Sequence, residues 1–320
     1  MANILSQANH VNDISKQIAY LRPLVVLLLI LAIPFVLVSL SFAHPSSGIV
    51  VDREGQVYFS DLSRGLLRID RRGNVTMVHK EGGHWLALDQ TGSFSRVFFE
   101  KSKHSPRWFK RRTPFNVKPT LIGDAGSPLV VGQDGNLYFA CDDERMIPGG
   151  LQIGRLSPNG KETLLNPSLR QLSEELGGIK GLAVGPDGSL YASYPKAVLK
   201  ITIDGTITTL VNPVVVNDCE LNVAAKDSPW LRGLAVSSRG IVYVAASGCG
   251  SVIKILPDGK VTTVLKAEKP LAPSGVAIYQ DEVYVLEHIN PNSEAHEAWP
   301  PRVRKLGRDG KVTTLATITP

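Results

Sequence analysis

Seven polar side chains occupy one kind of position in this chain and could act on the same ligand. They are Asp61, His84, Asp142, Lys180, Arg232, Glu287 and His288. Each lies just before the first strand or just after the second strand of a predicted four-stranded unit. Three are carboxylates, two are cations at neutral pH and two are imidazoles. The set could therefore bind a cation, bind an anion, or neutralise itself.

The sequence leaves these three chemistries open. Asp61, Asp142 and Glu287 could give oxygen ligands to a divalent cation such as calcium, which prefers such groups. Lys180 and Arg232 could instead receive a small anion or carboxylate, because the arginine fork binds these groups in a bidentate way. The carboxylates could also pair with the two cations. No Gly-x-Ser-x-Gly elbow, His-Glu-x-x-His motif or P-loop is present to indicate a particular catalysis.

The elements that must position these residues are repeated hairpins. The pattern of "GSVIKILPDGKVTTVL" occurs at 66–78, 153–165, 198–211, 250–265 and 303–316. Its turn glycines are Gly73, Gly160, Gly205, Gly259 and Gly310. The first interval between them is about twice the others, so a degenerate copy without a glycine turn is expected at 107–122. The apolar runs are short, alternating and β-branched, which is typical of strands.

A second hairpin precedes each copy of the first. It occurs at 48–61, 128–141, 181–194, 233–246 and 275–287, and in a weak form at 85–100. Four strands repeated six times at a period of ~45–50 residues predict an all-β, six-bladed propeller. The expected blades are 48–80, 84–122, 126–167, 177–213, 230–267 and 272–318.

The repeat "Gly-Leu-Ala-Val-x-x-x-Gly-x-[Leu/Ile/Val]-Tyr" resembles the NHL-repeat propellers. The chain is similar, more loosely, to the gluconolactonase and regucalcin-like (senescence-marker) superfamily. That second resemblance implies a lactone or ester hydrolase with a divalent cation held by Glu, Asn and Asp at the channel mouth. However, Lys180 and Arg232 stand where the family places Asn before Gly-Leu-Ala, and Ser47 replaces the Glu of an early Glu-Gly-Pro signature. The first hypothesis is therefore a ligand- or protein-binding module, and the alternative is a lactonase-type hydrolase with a modified metal site.

One face of the predicted propeller carries nearly all the long connections. The turns within each strand pair are short, whereas the joins on the opposite side include 99–106, 142–150, 166–179, 211–229 and 288–301. Long loops in a compact domain are often functional. We call this side the long-loop face, and we expect a small anionic ligand or a protein partner to bind there.

The N-terminal region predicts export. Residues 24–43 contain no charge and would form ~30 Å of helix, about one bilayer core. Lys16 and Arg22 precede this segment, so the positive-inside rule places residues 1–23 in the cytoplasm and the propeller, 44–320, outside. The segment is either a transmembrane signal-anchor in the cytoplasmic membrane or a signal peptide that is cleaved after Ala43, which would release the domain.

Cysteine usage and charge agree with an exported domain. Cys219 lies in the connection that enters the fifth blade, and Cys249 lies in the connection between that blade's second and third strands. Both connections open on the long-loop face, so these two cysteines are predicted to form a disulfide, and Cys141 would stay a thiol. The net charge is +6, and residues 101–118 are basic with interleaved aromatic side chains. Nucleic acid is not expected as a partner of an exported protein, so an anionic surface or an acidic partner is the better match.

Overall fold

The structure is a computed structural model of the whole chain. It describes residues 46–94, 112–115, 119–124, 126–141, 152–165, 169–217, 219, 229–289 and 301–318. The predicted cytoplasmic and apolar segments, 1–23 and 24–43, lie outside these ranges. No helix within the ranges is both long enough and apolar enough to span a bilayer.

Strands dominate the described ranges, and they form six sheets. The first sheet contains β1 (Ile49–Val51), β2 (Val57–Asp61), β3 (Gly65–Ile69) and β4 (Val75–His79). The second contains β5 (Trp85–Asp89), β6 (Arg112–Phe115) and β7 (Thr120–Asp124). The third contains β8 (Leu129–Val131), β9 (Leu137–Cys141), β10 (Gln152–Leu156) and β11 (Glu162–Leu164).

The second half of the chain is more regular. The fourth sheet contains β12 (Gly181–Val184), β13 (Leu190–Ser193), β14 (Val198–Ile201) and β15 (Ile207–Val211). The fifth contains β16 (Leu231–Val236), β17 (Val242–Ala246), β18 (Ser251–Ile255) and β19 (Val261–Lys266). The sixth contains β20 (Leu271–Tyr279), β21 (Glu282–Ile289), β22 (Arg302–Leu306) and β23 (Val312–Thr317). Helix α1 (Leu169–Leu176) precedes the fourth sheet, and a 3₁₀ helix (Ser247–Cys249) follows β17.

Five of these sheets are four-stranded antiparallel meanders, but the second differs. In it, β7 lies between β5 and β6 and pairs with both. The prediction of six four-stranded blades is therefore corrected: the described ranges contain five four-stranded blades and one three-stranded sheet. The exception is the unit in which both hairpin patterns degenerate and the turn glycine is lost. The five predicted turn glycines all have φ between 81° and 90°: Gly73, Gly160, Gly205, Gly259 and Gly310.

The first strands of the sheets pack against one another in a closed series. β1 packs against β5, β5 against β8, β8 against β12, β12 against β16, β16 against β20, and β20 against β1. This radial arrangement is that of a β-propeller, as the repeats predict. Apolar side chains from neighbouring sheets fill the space between them. For example, Phe59 and Leu67 of the first sheet pack with Leu286 and Val303 of the sixth.

Glycine within several first strands permits this close packing. A Cβ atom on Gly233 would lie 2.9 Å from the Cα of Gly275 and 3.0 Å from the carbonyl oxygen of Ser274. A Cβ atom on Gly275 would in turn collide with the carbonyl oxygen of Ser47. The recurrent glycine therefore serves backbone approach between sheets, not a turn. Its effect is to bring the starts of the first strands together.

The long connection between β15 and β16 is anchored near both ends. The Val214 amide donates to the Lys196 carbonyl at 2.8 Å, and the Leu231 amide donates to the Pro195 carbonyl at 3.0 Å. Cys219 forms a disulfide with Cys249, the pair that the sequence singled out, with a Cα–Cα distance of 4.9 Å. Cys141 is a buried free thiol. These contacts tie one connection of the long-loop face to both neighbouring sheets.

Candidate functional site

The predicted site residues lie at the ends of strands that face the long connections. Asp61 is the last residue of β2, and Arg232 is the second residue of β16. His84 and Lys180 come immediately before β5 and β12. His288 lies near the end of β21, one residue after Glu287. Positions expected just outside strands are therefore partly inside them, because β16 and β21 extend further than the sequence pattern indicates.

Four of these residues come together with a fifth that the sequence did not single out. The charge state of His288 is influenced by Asp61, Arg232, Arg64 and His84, so these groups share one electrostatic environment. Hydrogen bonds link the same region across the ring. The Nε atom of Arg232 donates to Oγ of Ser47 at 3.2 Å. We call Asp61, Arg64, His84, Arg232 and His288 the central cluster.

The carboxylate of the central cluster is already committed to its neighbours. Oδ1 of Asp61 accepts from the amides of Ser63 and Arg64 at 2.8 and 2.9 Å, and from the Ser63 hydroxyl at 2.6 Å. Oδ2 forms an ion pair with Arg64 Nη1 at 3.3 Å. Burial acts to raise the pKa of Asp61, but these hydrogen bonds and the nearby His288 together hold it below its ordinary value. Asp61 is thus ionised at neutral pH and holds the Arg64 side chain by an ion pair.

His288 is the least satisfied member of the cluster. Its Nε2 atom is buried and finds no hydrogen-bond partner among the described residues. Burial lowers the pKa of His288 to about 4; Asp61 opposes the shift, whereas Arg232, Arg64 and His84 reinforce it. The imidazole is therefore neutral at physiological pH, and its buried Nε2 atom makes no hydrogen bond within the described ranges.

Arg232 brings a partly desolvated guanidinium to the same place. Burial lowers the pKa of Arg232 to about 10, so the group keeps its charge at neutral pH at a cost in free energy. Its backbone carbonyl accepts a hydrogen bond from the Ser193 hydroxyl at 2.5 Å. Arg232 and Arg64 are therefore the two guanidinium groups that act on His288 in the central cluster.

Lys180 stands beside the cluster on the neighbouring first strand. Its amide donates to the carbonyl of Ser193 at 2.7 Å, and the same serine contacts Arg232. The Lys180 ammonium lies 6.0 Å from the centre of the Trp230 ring. Trp230 was not predicted as a site residue. It is 42% exposed, it lies two residues before Arg232, and its backbone is left-handed with a φ of 47°.

Glu287 is placed differently from its neighbour His288. It is fully buried, and its two carboxylate oxygens are bound by arginines of β22. Arg302 Nε donates to Oε2 at 2.7 Å, and Arg304 donates to Oε1 from both Nε, at 2.9 Å, and Nη2. Glu287 is therefore held in a structural ion-pair network within the sixth sheet, although the sequence grouped it with the candidate ligands.

The suggested metal ligands do not form a site within the described ranges. Asp142 lies outside them, so its place is not described. Among the residues that are described, no group of three or more His, Cys, Asp or Glu side chains is arranged to hold a metal ion. Asp61 is engaged by Arg64 and Ser63, and Glu287 by Arg302 and Arg304.

Arg64 could have been found from a local signal. Asp61, Ser63 and Arg64 form a tight turn in which the aspartate accepts from residues two and three positions later, an arrangement that Asp favours at strand ends. Trp230 carries no comparable signal, because its closeness to Lys180 depends on packing between two sheets.

Comparisons with known proteins support the fold. No protein-family profile and no curated protein matches the sequence. A streptogramin B lyase structure has a TM-score of 0.50 at 13% identity, with 87% of this chain and 86% of that chain covered. A gluconolactonase from Xanthomonas campestris has a TM-score of 0.48 at 14% identity, over 78% and 86%. A calcium-binding regucalcin from Agrobacterium tumefaciens has a TM-score of 0.49 at 13% identity, over 79% and 85%. The likeness to the lyase, at this identity, concerns the fold alone.

Proposed function

We propose that this β-propeller is an exported, membrane-tethered binding module that captures a small anionic ligand at the central cluster. The observation that carries the proposal is that Arg232, Arg64 and Asp61 all act on His288, while the carboxylate of Asp61 is already hydrogen-bonded to Ser63 and ion-paired with Arg64. An incoming carboxylate or similar anion would find positive charge and a fixed fork of donors.

The surroundings favour such a ligand over bulk water. Because Arg232 is buried, the effective dielectric constant around its guanidinium is low. The attraction between this group and a bound anion would therefore be stronger than at an exposed arginine. The donors also come from separate sheets that are locked by backbone packing. This preorganisation reduces the ordering cost of binding.

The proposal is tested by thermal unfolding of the full-length chain in detergent with acetate or succinate. A ligand that binds only the folded protein raises the unfolding temperature with concentration. We expect the Lys180→Ala, Arg232→Ala double variant to lose this shift. The matched control is Lys196→Ala with Arg239→Ala, because these side chains are exposed and lie in connections between strands of the fourth and fifth sheets. An equal shift in both double variants would refute the assignment.

The same titration decides the enzymatic alternative. A lactonase-type hydrolase would need a divalent cation, and calcium, zinc or manganese would then stabilise the folded chain. Asp61 and Asp142 would be the oxygen ligands to examine first, since Glu287 is held by two arginines. Stabilisation by one of these ions together with turnover of a lactone would favour the hydrolase over the binding module.

We also propose that residues 24–43 hold the propeller on the outer side of the cytoplasmic membrane. The uncharged run of twenty residues and the preceding Lys16 and Arg22 support this. The disulfide is compatible with an oxidising compartment. Protease treatment of intact spheroplasts should degrade the propeller, and the mass of its N-terminal peptide distinguishes an anchor from cleavage after Ala43. Protection of the propeller would contradict export.

The three-stranded sheet is, in this proposal, the second of six blades. Its first strand, β5, packs against β1 on one side and β8 on the other, as the first strand of a blade does in the closed series. An experimental map that showed five sheets around the axis, with residues 85–124 outside the ring, would reject the sixfold arrangement.

A further inference from the structure

The chain enters the propeller at the centre of the long-loop face. The hydroxyl of Ser46 lies within hydrogen-bond distance of the carbonyls of Gly83 and His84, at 3.2 and 3.1 Å. These two residues belong to the connection between β4 and β5, which opens on that face. The hydroxyl of the next residue, Ser47, accepts from Nε of Arg232 in the central cluster. The entry point therefore lies beside the central opening and not at the outer rim.

The link between this entry point and the apolar segment is short. Residues 24–43 end three positions before Ser46, and three steps of fully extended chain cover at most about 11 Å. Ser46 and Ser47 are 1% and 4% exposed, so the fold holds this end of the link. Four strands spaced about 4.8 Å apart make each blade wider than the link is long. A propeller joined at its centre in this way cannot turn its opposite face to a bilayer that holds residues 24–43.

The described part of the long-loop face carries side chains that suit a lipid surface. Val215 is 67% exposed in the connection between β15 and β16, and Leu62 is 38% exposed in the connection between β2 and β3. The neighbouring Val214 is buried between the fourth and fifth sheets, and its amide donates to the carbonyl of Lys196, whose side chain is exposed. Exposed aliphatic side chains with a cation nearby are typical of surfaces that bind the headgroup region of a bilayer.

We propose that the long-loop face lies against the outer leaflet of the membrane, with Leu62, Val215 and Lys196 in contact with phospholipid headgroups. This inference rests on the proposed tether, residues 24–43, and adds to it an orientation and a lipid surface as the partner. The first and fourth sheets lie across the closed series from each other, so Leu62 and Val215 support the ring on two sides. The central cluster then opens towards the bilayer, and an anionic ligand reaches it along the membrane surface.

Fluorescent labels at opposite ends of one strand test the orientation. Lys196 and Ile203 are both exposed, and they lie two residues before and two residues after β14. Lys196→Cys places the label on the long-loop face. Ile203→Cys is its matched control on the opposite face, roughly 20 Å away along the strand. Cys141 is buried and the other two cysteines are joined in a disulfide, so the wild-type chain measures background labelling.

The labelled full-length chains are reconstituted in vesicles of phosphatidylcholine and phosphatidylglycerol, with and without nitroxide groups on the lipid headgroups. A nitroxide quenches a fluorophore only at short range. We expect the label at position 196 to lose most of its emission in the nitroxide vesicles and the label at position 203 to keep most of it. Equal quenching of the two labels, or stronger quenching at position 203, would overturn the orientation.

Glutamate at the apolar positions tests the lipid contacts. In the chain labelled at position 196, Leu62→Glu with Val215→Glu should weaken the quenching, because anionic headgroups repel the added carboxylates. Ile203→Glu is the matched control and should leave the quenching unchanged, since it adds the same charge on the opposite face. If all three chains are quenched to the same extent, Leu62 and Val215 are not the lipid contacts.

Flotation of the same vesicles separates this inference from the proposed function. A chain that floats with the vesicles but shows equal quenching at both labels overturns the orientation and leaves the tether intact. A chain that does not float overturns the tether and the orientation together. Anion capture is measured separately, by the shift in unfolding temperature with acetate, so its absence beside the expected quenching would overturn anion capture alone.

Discussion

Glu287 and His288 are adjacent in β21, yet the fold surrounds them with opposite kinds of environment. Glu287 is fully buried, and arginines from the next strand of its own sheet bind both carboxylate oxygens. His288 belongs to the central cluster, where its partners come from other sheets and where its buried Nε2 atom has no hydrogen-bond partner in the described ranges. Successive residues of a strand point to opposite faces, so one step along the chain changes the neighbours completely.

The difference separates a structural charge from a candidate binding group. Charges that satisfy one another within a sheet hold the fold together and leave little for a ligand. Charges that converge from several sheets beside an unsatisfied polar atom carry a cost in stability that a ligand would offset. Functional sites are often built in this second way.

The same substitution in both regions tests this comparison most strongly. Arg304→Met removes one of the arginines that neutralise buried Glu287 and should lower the free energy of unfolding by about 3–5 kcal/mol. Arg232→Met loses the hydrogen bond to Ser47 but also removes a desolvated charge, so it should change stability by about 1 kcal/mol or less. Denaturant unfolding measures both. Equal losses would mean that the two regions are alike.

The disulfide should have the next largest effect, and it acts on the long-loop face. Replacing Cys219 and Cys249 together by Ser should cost about 3–4 kcal/mol, because the crosslink closes a loop across a sequence separation of 30. Because this connection leads into the strand that carries Arg232, the double variant should also lose part of its anion binding, whereas Arg304→Met should keep it at temperatures where it stays folded. Unchanged stability and binding would show that the tether is dispensable.

Gly275→Ala should disturb the central cluster through the backbone. The added methyl group meets the carbonyl oxygen of Ser47, whose hydroxyl accepts from Arg232. Overpacking of this kind costs about 1–3 kcal/mol. Unfolding curves and anion titrations should both change, since Ser47 must move. A variant as stable as the wild type, with unaltered anion affinity, would contradict the close approach of β20 and β1.

The pH dependence of stability should show the smallest effect and distinguish His288 from Asp61. Because the pKa of His288 is lowered to about 4, the unfolded chain takes up a proton below its ordinary value of 6.5 while the folded chain does not. Stability should therefore fall as the pH drops from 6.5 to 4, by about 1–2 kcal/mol for this partly screened group.

Asp61 affects the stability of the fold in a lower pH range than His288 does. Its pKa is held below the ordinary 3.8, so its stabilising contribution is lost only as the pH falls below that value. His288→Gln should flatten the decline between pH 6.5 and 4 and leave the more acidic part unchanged. A decline of the same slope in His288→Gln would assign it to other groups.

Much of the architecture could be predicted from local patterns. Alternating apolar residues and the glycines at 73, 160, 205, 259 and 310 specify hairpins, because a turn with positive φ needs glycine and an alternating strand needs a buried face. The second sheet was expected as a degenerate blade at 84–122, but its strand number and order were not predicted, since the segment 107–122 has lost its turn glycine. There, β5 pairs with β7 through contacts that are distant in sequence.

The amino-acid sequence alone thus determined the repeated strands, the propeller class and which residues would sit near the ends of the first and second strands. Only the tertiary structure decided which of those residues share an environment. Asp61, His84, Arg232 and His288 meet because the starts of the first strands approach closely across glycine, whereas Glu287 turns towards Arg302 and Arg304. Local patterns determine where strands and turns form. The neighbours of a charged group depend on how separate sheets pack, and those neighbours determine its pKa and its role.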